Sequence, residues 1–225
     1  MSEPVTMNGV EVNNYLFKGY PIIIGGKPFN ICYFAMPLDV KTAGAQVRLV
    51  AQDEAGNKAS IALPYLLMNR KFRSDKMEMS DNFFQQKMPE FQAAIPELRG
   101  KPLLDAFIHV NTKTRDENFK TIQTICQSSV SQPLWQEAFF RMKNAAPMAL
   151  FGDKRTYLYG GKPIGESIHM GVDLASTQQA PIEAANNGVV VFTGNIGIYG
   201  NTAIIDHGLG LFSHYAHLSG ITAQK

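Results

Sequence analysis

The stretch His169-Met-Gly-Val-Asp173 carries two metal-ligand side chains on one short segment and guides the interpretation of the sequence around it. Gly171 and the β-branched Val172 disfavour a helix, and the neighbouring sequence is rich in short β-type runs. In a strand, alternate side chains share one face, so His169, Gly171 and Asp173 would point the same way. Imidazole nitrogens and carboxylate oxygens are ligands of Zn²⁺. Such a pair on one rigid strand suits a metal site, but the same short pattern is more often an exposed polar pair, so the spacing by itself leaves both interpretations open.

A pair of histidines lies on a second predicted strand, residues 211–218. If this strand is unbroken, His217 lies on one face and His214 on the other, because side chains alternate along a strand. Both histidines can then enter one site only if a β-bulge interrupts the strand. We expect one of the two to be functional and the other to be structural or exposed.

Four motifs follow one another in the last third of the chain. They are His169-x-Gly-x-Asp173-Leu, Ala180-Pro-Ile-x-Ala184-x-x-x-Gly188-Val-Val, Gly200-Asn201-x-x-x-Ile205-x-His207-Gly208-x-Gly210 and Tyr215-Ala-His217-Leu-Ser219. In this order and spacing they resemble the lysostaphin/LytM-type zinc metalloendopeptidases, which cleave peptide cross-links of bacterial cell-wall peptidoglycan. The resemblance covers residues 151 to 225.

The resemblance implies roles for individual residues. His169 and Asp173 match the first two zinc ligands, and His217 matches a histidine of the catalytic pair that acts on water or stabilises the transition state. The family's third ligand lies in a later His-x-His motif, which is not found in these 225 residues. His214 falls three residues before the family histidine, so we do not expect it to replace that ligand. His207, at a predicted turn, is interpreted as structural.

The implied cofactor is Zn²⁺ and the implied substrate is a peptidoglycan peptide, cleaved by zinc-activated water in the cell envelope, at the periplasm or the cell surface. A catalytic zinc normally has three protein ligands and an open position for water. With two ligands, we expect the 225-residue chain to be an inactive or nearly inactive fragment that ends before the His-x-His motif. The alternative is a non-catalytic LytM-like module for cell-wall binding or regulation. Because His169, Asp173 and His217 are all retained, the sequence favours the enzyme.

The predicted fold is mixed, with three segments. Residues 1–67 contain short β-type runs and resemble an immunoglobulin-like, sandwich-type module with some of its strands missing, and the sequence around Ala55-Gly56-Asn57 predicts a hairpin. Residues 68–148 form a helical region. Residues 149–225 form the N-terminal part of a LytM-type peptidase domain, mostly antiparallel β and incomplete.

Three helices are predicted in the central region. The first follows the N-cap candidate Ser80, and Pro89 is expected to shorten it. The others span residues 115–126 and 133–142. Strands are predicted in the last segment at residues 189–192, 202–206 and 211–215, with glycine-containing turns between them.

The composition excludes several classes of protein. A net charge of +2 without a basic stripe does not indicate a nucleic-acid partner. No apolar run reaches the length of a membrane-spanning helix, and the first residues lack the pattern of a signal peptide. Cys32 and Cys126 have apolar neighbours and are expected to be free thiols rather than a disulfide.

Overall fold

The computed structural model describes residues 4–38, 40, 44–68 and 70–224. Within these ranges the chain forms fourteen β-strands and three α-helices. The strands are grouped into five small sheets, of which four are antiparallel throughout and one, β10-β9-β7, contains a parallel pair. The structure is therefore β-rich with a helical insertion, in agreement with the predicted mixed class.

The N-terminal part consists of antiparallel strands. They are β1 (Val5–Val12), β2 (Tyr15–Lys18), β3 (Tyr20–Ile24), β4 (Lys27–Ile31), β5 (Val47–Asp53) and β6 (Lys58–Ala62). Four of them form one sheet in the order β2-β1-β5-β6, and β3 and β4 form a separate hairpin. The predicted β5–β6 hairpin is confirmed, and the Asp53 carboxylate closes its turn by accepting the Asn57 N–H at 2.8 Å. Val10, Val12 and Val47 are buried on one face of the sheet.

The central part holds the helices. It contains β7 (Ser74–Glu78), α1 (Asp81–Ala94), a 3₁₀ turn (Pro96–Leu98), α2 (Leu103–His109), a π-helical turn (Val110–Thr114) and α3 (Arg115–Ile125). Ser80 caps α1 as predicted, because its hydroxyl oxygen accepts the Phe83 N–H at 3.2 Å. Phe84 and Met88 on the same helix are buried in the core. Hydrophobic periodicity and a capping residue thus identified α1 correctly.

Two expectations for this part were wrong. Pro89 does not shorten α1, which continues to Ala94. A proline inside a helix removes one hydrogen bond, and burial of the adjacent Met88 offsets this cost. The predicted helix at residues 133–142 is absent. The Leu134 N–H instead donates to the His207 carbonyl at 2.8 Å and the Phe140 N–H to the Ala185 carbonyl at 2.9 Å, so this segment runs along the C-terminal sheet.

The C-terminal part is built from β-strands. They are β8 (Ala146–Ala149), β9 (Lys154–Tyr159), β10 (Lys162–Ile168), β11 (Asp173–Ala175), β12 (Val189–Asn195), β13 (Asn201–Gly208) and β14 (Leu211–Leu218). The last three form an antiparallel meander, β12-β13-β14, which confirms the three predicted strands. β11 pairs with β8, and β9 lies between β10 and β7.

The central and C-terminal parts share packing. β7 pairs with β9 in parallel, and Tyr157 of β9 packs edge-on against Phe107 of α2 at a ring separation of 5.4 Å. Both rings belong to one core cluster with Phe84 and Met88. The division at residues 148 and 149 stays a prediction, since the sheet and the core extend across it. Cys32 and Cys126 are free thiols. No helix in the described ranges is long and apolar enough to cross a membrane.

Candidate active site

His169 and Asp173 meet across a bend in the chain. His169 directly follows β10, Asp173 begins β11, and the backbone bends at Gly171. The prediction of one strand through both residues is wrong, and in such a strand four residues would separate the side chains by about 13 Å. The bend instead brings Nε2 of His169 to 3.0 Å from Oδ1 of Asp173. The two ligand types predicted from the sequence therefore do meet, by a different backbone path.

The end of β8 positions both residues. Asp173 pairs with Ala149 in the β8–β11 ladder, and the Leu150 carbonyl that follows lies 3.0 Å from Nδ1 of His169. The main chain of His169 is held as well, because its N–H donates to the Asp153 carbonyl at 2.8 Å. A carbonyl oxygen only accepts, so the bond to Leu150 places the proton on Nδ1 and leaves Nε2 to face the carboxylate.

This arrangement fits two positions of a zinc site. A hydrogen bond from Nδ1 to a backbone carbonyl is the usual way in which proteins orient a metal-binding histidine. Two ligands of a tetrahedral zinc lie about 3.3 Å apart, given metal–ligand distances of roughly 2.0–2.1 Å. The 3.0 Å between Nε2 of His169 and Oδ1 of Asp173 is close to that separation. Among the described residues no third His, Cys, Asp or Glu joins the pair in a metal-binding group.

The guanidinium group of Arg155 contacts Oδ2 of Asp173, the carboxylate oxygen that does not face His169. Nη2 of Arg155, on β9, lies 3.4 Å from Oδ2 of Asp173. The sequence reasoning missed this residue. The available signal was Gly160-Gly161 between two β-type runs, which indicates a hairpin. The turn alone would place Arg155 opposite Glu166, and a bulge between Pro163 and Gly165 shifts the register by one residue so that Arg155 lies opposite Ser167.

A surface groove lies at the end of β11, and neither His169 nor Asp173 lines it. It has a volume of about 680 Å³, and its wall includes Ala175, two residues beyond Asp173. Lys143 and Glu183 also line it and form an exposed ion pair with a nitrogen–oxygen distance of 2.8 Å. The groove is large enough to accept an extended chain, and its connection to the pair runs through β11.

His217 lies on an interrupted strand. The β13–β14 register advances two residues on β13, from Asn201 to Ala203, and three on β14, from Leu218 back to Tyr215. This is a β-bulge, and His217 within it has a positive φ of 58°. The strand from 211 to 218 is therefore not unbroken. A bulge of this kind is the condition under which His214 and His217 can enter one site.

His214 and His217 lie beside the same turn. The rings of His214 and Tyr199 are 5.1 Å apart, and the Cα of His217 is 3.8 Å from the position that a Cβ on Gly200 would occupy. Desolvation by the surrounding atoms, and then the nearby charge of His217, lower the pKa of the His214 imidazole from its ordinary value of 6.5. The bulge therefore leaves the two histidines beside one turn, whereas an unbroken strand would place them on opposite faces. No hydrogen bond or ion pair in the described ranges links His217 to His169 or Asp173.

His207 is built into the interior. It is fully buried at the end of β13, with Nδ1 2.6 Å from the Asn187 carbonyl and Nε2 2.7 Å from Oγ of Ser213. Ser213 lies 2.9 Å from the hydroxyl of Tyr215, which in turn accepts the Ala185 N–H at 2.6 Å. With both ring nitrogens engaged and no exposure to solvent, His207 has the environment of a structural residue, although it lies in a strand rather than a turn.

A family model identifies the class to which the C-terminal part of the chain belongs. Residues 167–225 match the family model described as Peptidase family M23, and this stretch contains His169, Asp173 and His217. The C-terminal part of the chain thus carries an M23 domain of the LytM type, which confirms the family indicated by the four sequence motifs.

Two relatives illustrate the extent of the similarity. The DD-carboxypeptidase/endopeptidase Mpg of Neisseria meningitidis is 42% identical over 58 residues, which cover 26% of this chain and 14% of that protein. The peptidoglycan DD-endopeptidase ShyA of Vibrio cholerae is 28% identical over 138 residues, which cover 60% of this chain and 28% of that protein. The matched part therefore spans less than a third of the length of either relative.

A solved structure from Pseudomonas aeruginosa, described as a candidate peptidase M23, aligns over 97% of this chain and 70% of its own chain. The TM-score is 0.49 and the sequence identity is 15%.

Proposed function

We propose that this chain is part of a zinc metalloendopeptidase that hydrolyses peptide cross-links of bacterial cell-wall peptidoglycan in the cell envelope. The observation that carries the proposal is the 3.0 Å approach of Nε2 of His169 to Oδ1 of Asp173, with Nδ1 of His169 fixed on the Leu150 carbonyl. The pair lies inside the stretch that matches family M23. The names of Mpg and ShyA, both endopeptidases, support a peptidoglycan substrate and with it a location in the envelope.

In this proposal His169 and Asp173 hold the metal. Zinc supplies a Lewis acid that activates water and polarises the carbonyl of the scissile bond. His217 acts on the reacting groups as a proton shuttle or as a donor to the developing oxyanion. Its exposed position on the β14 bulge supports this role, because a group that exchanges protons with substrate must be reachable from solvent. The groove that begins at Ala175 would receive the peptide.

Ligand number sets the expected activity. Two protein ligands hold zinc more weakly than the three of a typical catalytic site. We therefore expect the 225 residues alone to hydrolyse little or no substrate. The second candidate function, a non-catalytic module that binds or regulates at the cell wall, is favoured by the same observation, since only two ligand residues come together in the described ranges.

The N-terminal part is proposed to be an immunoglobulin-like module that positions the peptidase segment. Its antiparallel sheet with a buried valine face supports this assignment, and so does the contact of Tyr20 with Gly210 at the turn before β14. An immunoglobulin-like sandwich has about seven strands in two facing sheets. An experimental structure with no second sheet over the Val10–Val12 face would contradict the assignment.

A two-part experiment separates enzyme from binding module. Purified sacculi are incubated with the zinc-loaded chain and with a longer natural form of the protein, and released fragments are analysed by mass spectrometry. We expect cross-link cleavage by the longer form, loss of cleavage in His169→Ala and Asp173→Asn, and normal cleavage in the control His109→Ala, which alters a histidine on α2. Sedimentation with sacculi without any cleavage by either form, unchanged in His169→Ala, would establish the binding module instead.

A further inference from the structure

Arg155 lies outside residues 167–225, the stretch that matches the family model, and nothing in the motifs assigns it a role. It is directly opposite Ser167 in the β9–β10 hairpin. Residues directly opposite each other in an antiparallel pair point to the same face, and so do residues two apart on one strand. The hairpin pairing continues to His169, whose N–H donates to the Asp153 carbonyl. Arg155, Ser167 and His169 therefore share one face of the hairpin.

From this face Arg155 reaches across to the carboxylate of Asp173. Its Nη2 lies 3.4 Å from Oδ2, whereas Nε2 of His169 lies 3.0 Å from Oδ1. The two oxygens are thus divided between two partners. The Arg155 side chain is 29% exposed and that of Asp173 is 49% exposed. A carboxylate with this much freedom would rotate among several orientations if only one side were held.

We propose that Arg155 is a positioning residue, which holds Oδ2 of Asp173 so that Oδ1 stays turned toward Nε2 of His169. The proposal rests on the proposed function, because it assumes that this pair binds the metal. Groups that hydrogen-bond to metal ligands from behind typically change metal affinity by 10–100-fold when they are removed. Repulsion between the guanidinium and a bound dication opposes this effect, but water screens it strongly at side chains as exposed as these.

The sign of the change in affinity distinguishes positioning from simple repulsion. Arg155→Met keeps the length of the side chain and removes its charge and its donors. We expect zinc affinity to fall by about 10–100-fold in this variant. Arg155→Lys keeps a charged donor and is expected to lose less. Arg48→Met is the matched control, since Arg48 contacts Ser60 in the N-terminal sheet and should leave zinc affinity unchanged.

The measurement is a zinc titration of the whole chain, followed through the imidazole resonances of His169 by NMR, which also quantifies weak binding. A double-mutant cycle completes it: in the Asp173→Asn background, Arg155→Met should have no further effect, because its target is gone. Equal or tighter zinc binding by Arg155→Met, together with weaker binding by Asp173→Asn, overturns the positioning role alone. Unchanged zinc binding in Asp173→Asn overturns the metal pair and the role of Arg155 with it.

Discussion

His169 and His207 have the same kind of partner at Nδ1 and different kinds of partner at Nε2. In both His169 and His207, Nδ1 faces a backbone carbonyl, that of Leu150 at 3.0 Å and that of Asn187 at 2.6 Å. Nε2 of His207 then faces a serine hydroxyl in the interior, whereas Nε2 of His169 faces a half-exposed carboxylate. A backbone carbonyl fixes the orientation of an imidazole equally well for structure or for chemistry. The partner of the second nitrogen decides which of the two the residue serves.

The neighbouring aspartates differ in the same way. Asp206 is buried and accepts hydrogen bonds from the Ser129 hydroxyl at 2.6 Å and from the N–H groups of Val130 and Gly208. These neutral donors satisfy the carboxylate and tie the segment after α3 to the β13–β14 turn. Asp173 is half-exposed, and its recorded partners in the described part of the chain, Arg155 and His169, carry or can carry a positive charge. A carboxylate in that environment can exchange one of its partners for a metal ion, whereas Asp206 cannot without breaking the fold.

Replacing each histidine by alanine tests the comparison most strongly. His207→Ala removes two hydrogen bonds and leaves a cavity behind Phe139, whose ring lies 4.8 Å from the imidazole. We expect the free energy of unfolding to fall by about 3 kcal/mol. His169→Ala, the comparison variant, should cost less, about 1–2 kcal/mol, because its side chain is 16% exposed and loses one hydrogen bond and part of its packing. Chemical denaturation measures both values, and equal losses would contradict the division into structural and functional histidines.

Zinc should stabilise the folded chain through His169 and not through His207. A ligand that binds only the folded state raises the free energy of unfolding, by about 1.4 kcal/mol at a free concentration ten times its dissociation constant. We expect thermal unfolding of the parent chain and of Arg48→Met to shift upward with zinc. The shift should vanish in His169→Ala and in Asp173→Asn. A shift that persists in both variants would place the zinc elsewhere on the chain.

The bulge at His217 gives a smaller effect on stability. A residue other than glycine at a φ of 58° costs on the order of 1 kcal/mol, so His217→Gly should leave the protein as stable as before or more stable by up to about that amount. His217→Val, with a β-branched side chain, should destabilise it by a similar amount. Denaturation curves of the two variants, run beside His109→Ala, measure the difference. If valine is tolerated as well as glycine, the backbone at this position is extended and the bulge is absent.

Local sequence signals predicted the elements that local interactions build. The Ser80 cap and the apolar spacing that follows it identified α1, and β-branched runs between glycine turns identified β12, β13 and β14. The segment 133–142 carried a helical pattern as well. It does not form a helix because its N–H groups are taken by β13 and by the chain before β12, contacts that no local window contains.

The sequence identified the residues of the candidate site but not the backbone geometry that positions them. Residue types and spacing identified His169, Asp173 and His217, whereas the bend at Gly171 depends on the pairing of Asp173 with Ala149 in β8. The β14 bulge likewise depends on register with β13. Arg155 enters only through the register of the β9–β10 hairpin, and single-sequence patterns do not fix register.

The smallest expected effect is the change in stability with pH that comes from His214 on β14. Because the pKa of His214 is lowered in the folded state, the unfolded chain binds its proton more readily. Above the ordinary pKa of 6.5, His214 is neutral in both states and does not change the free energy of unfolding with pH. As the pH falls from 6.5 through the lower pKa of the folded state, protonation of His214 lowers the free energy of unfolding. We expect His214→Gln to flatten the fall in stability over this range. Denaturation at a series of pH values measures the slope. If stability falls with pH equally steeply in His214→Gln and in the parent chain, the His214 ring is as well solvated in the folded state as in the unfolded state. Such a result would contradict the crowding of His214 by Tyr199 and His217, and with it the shared position of the two histidines.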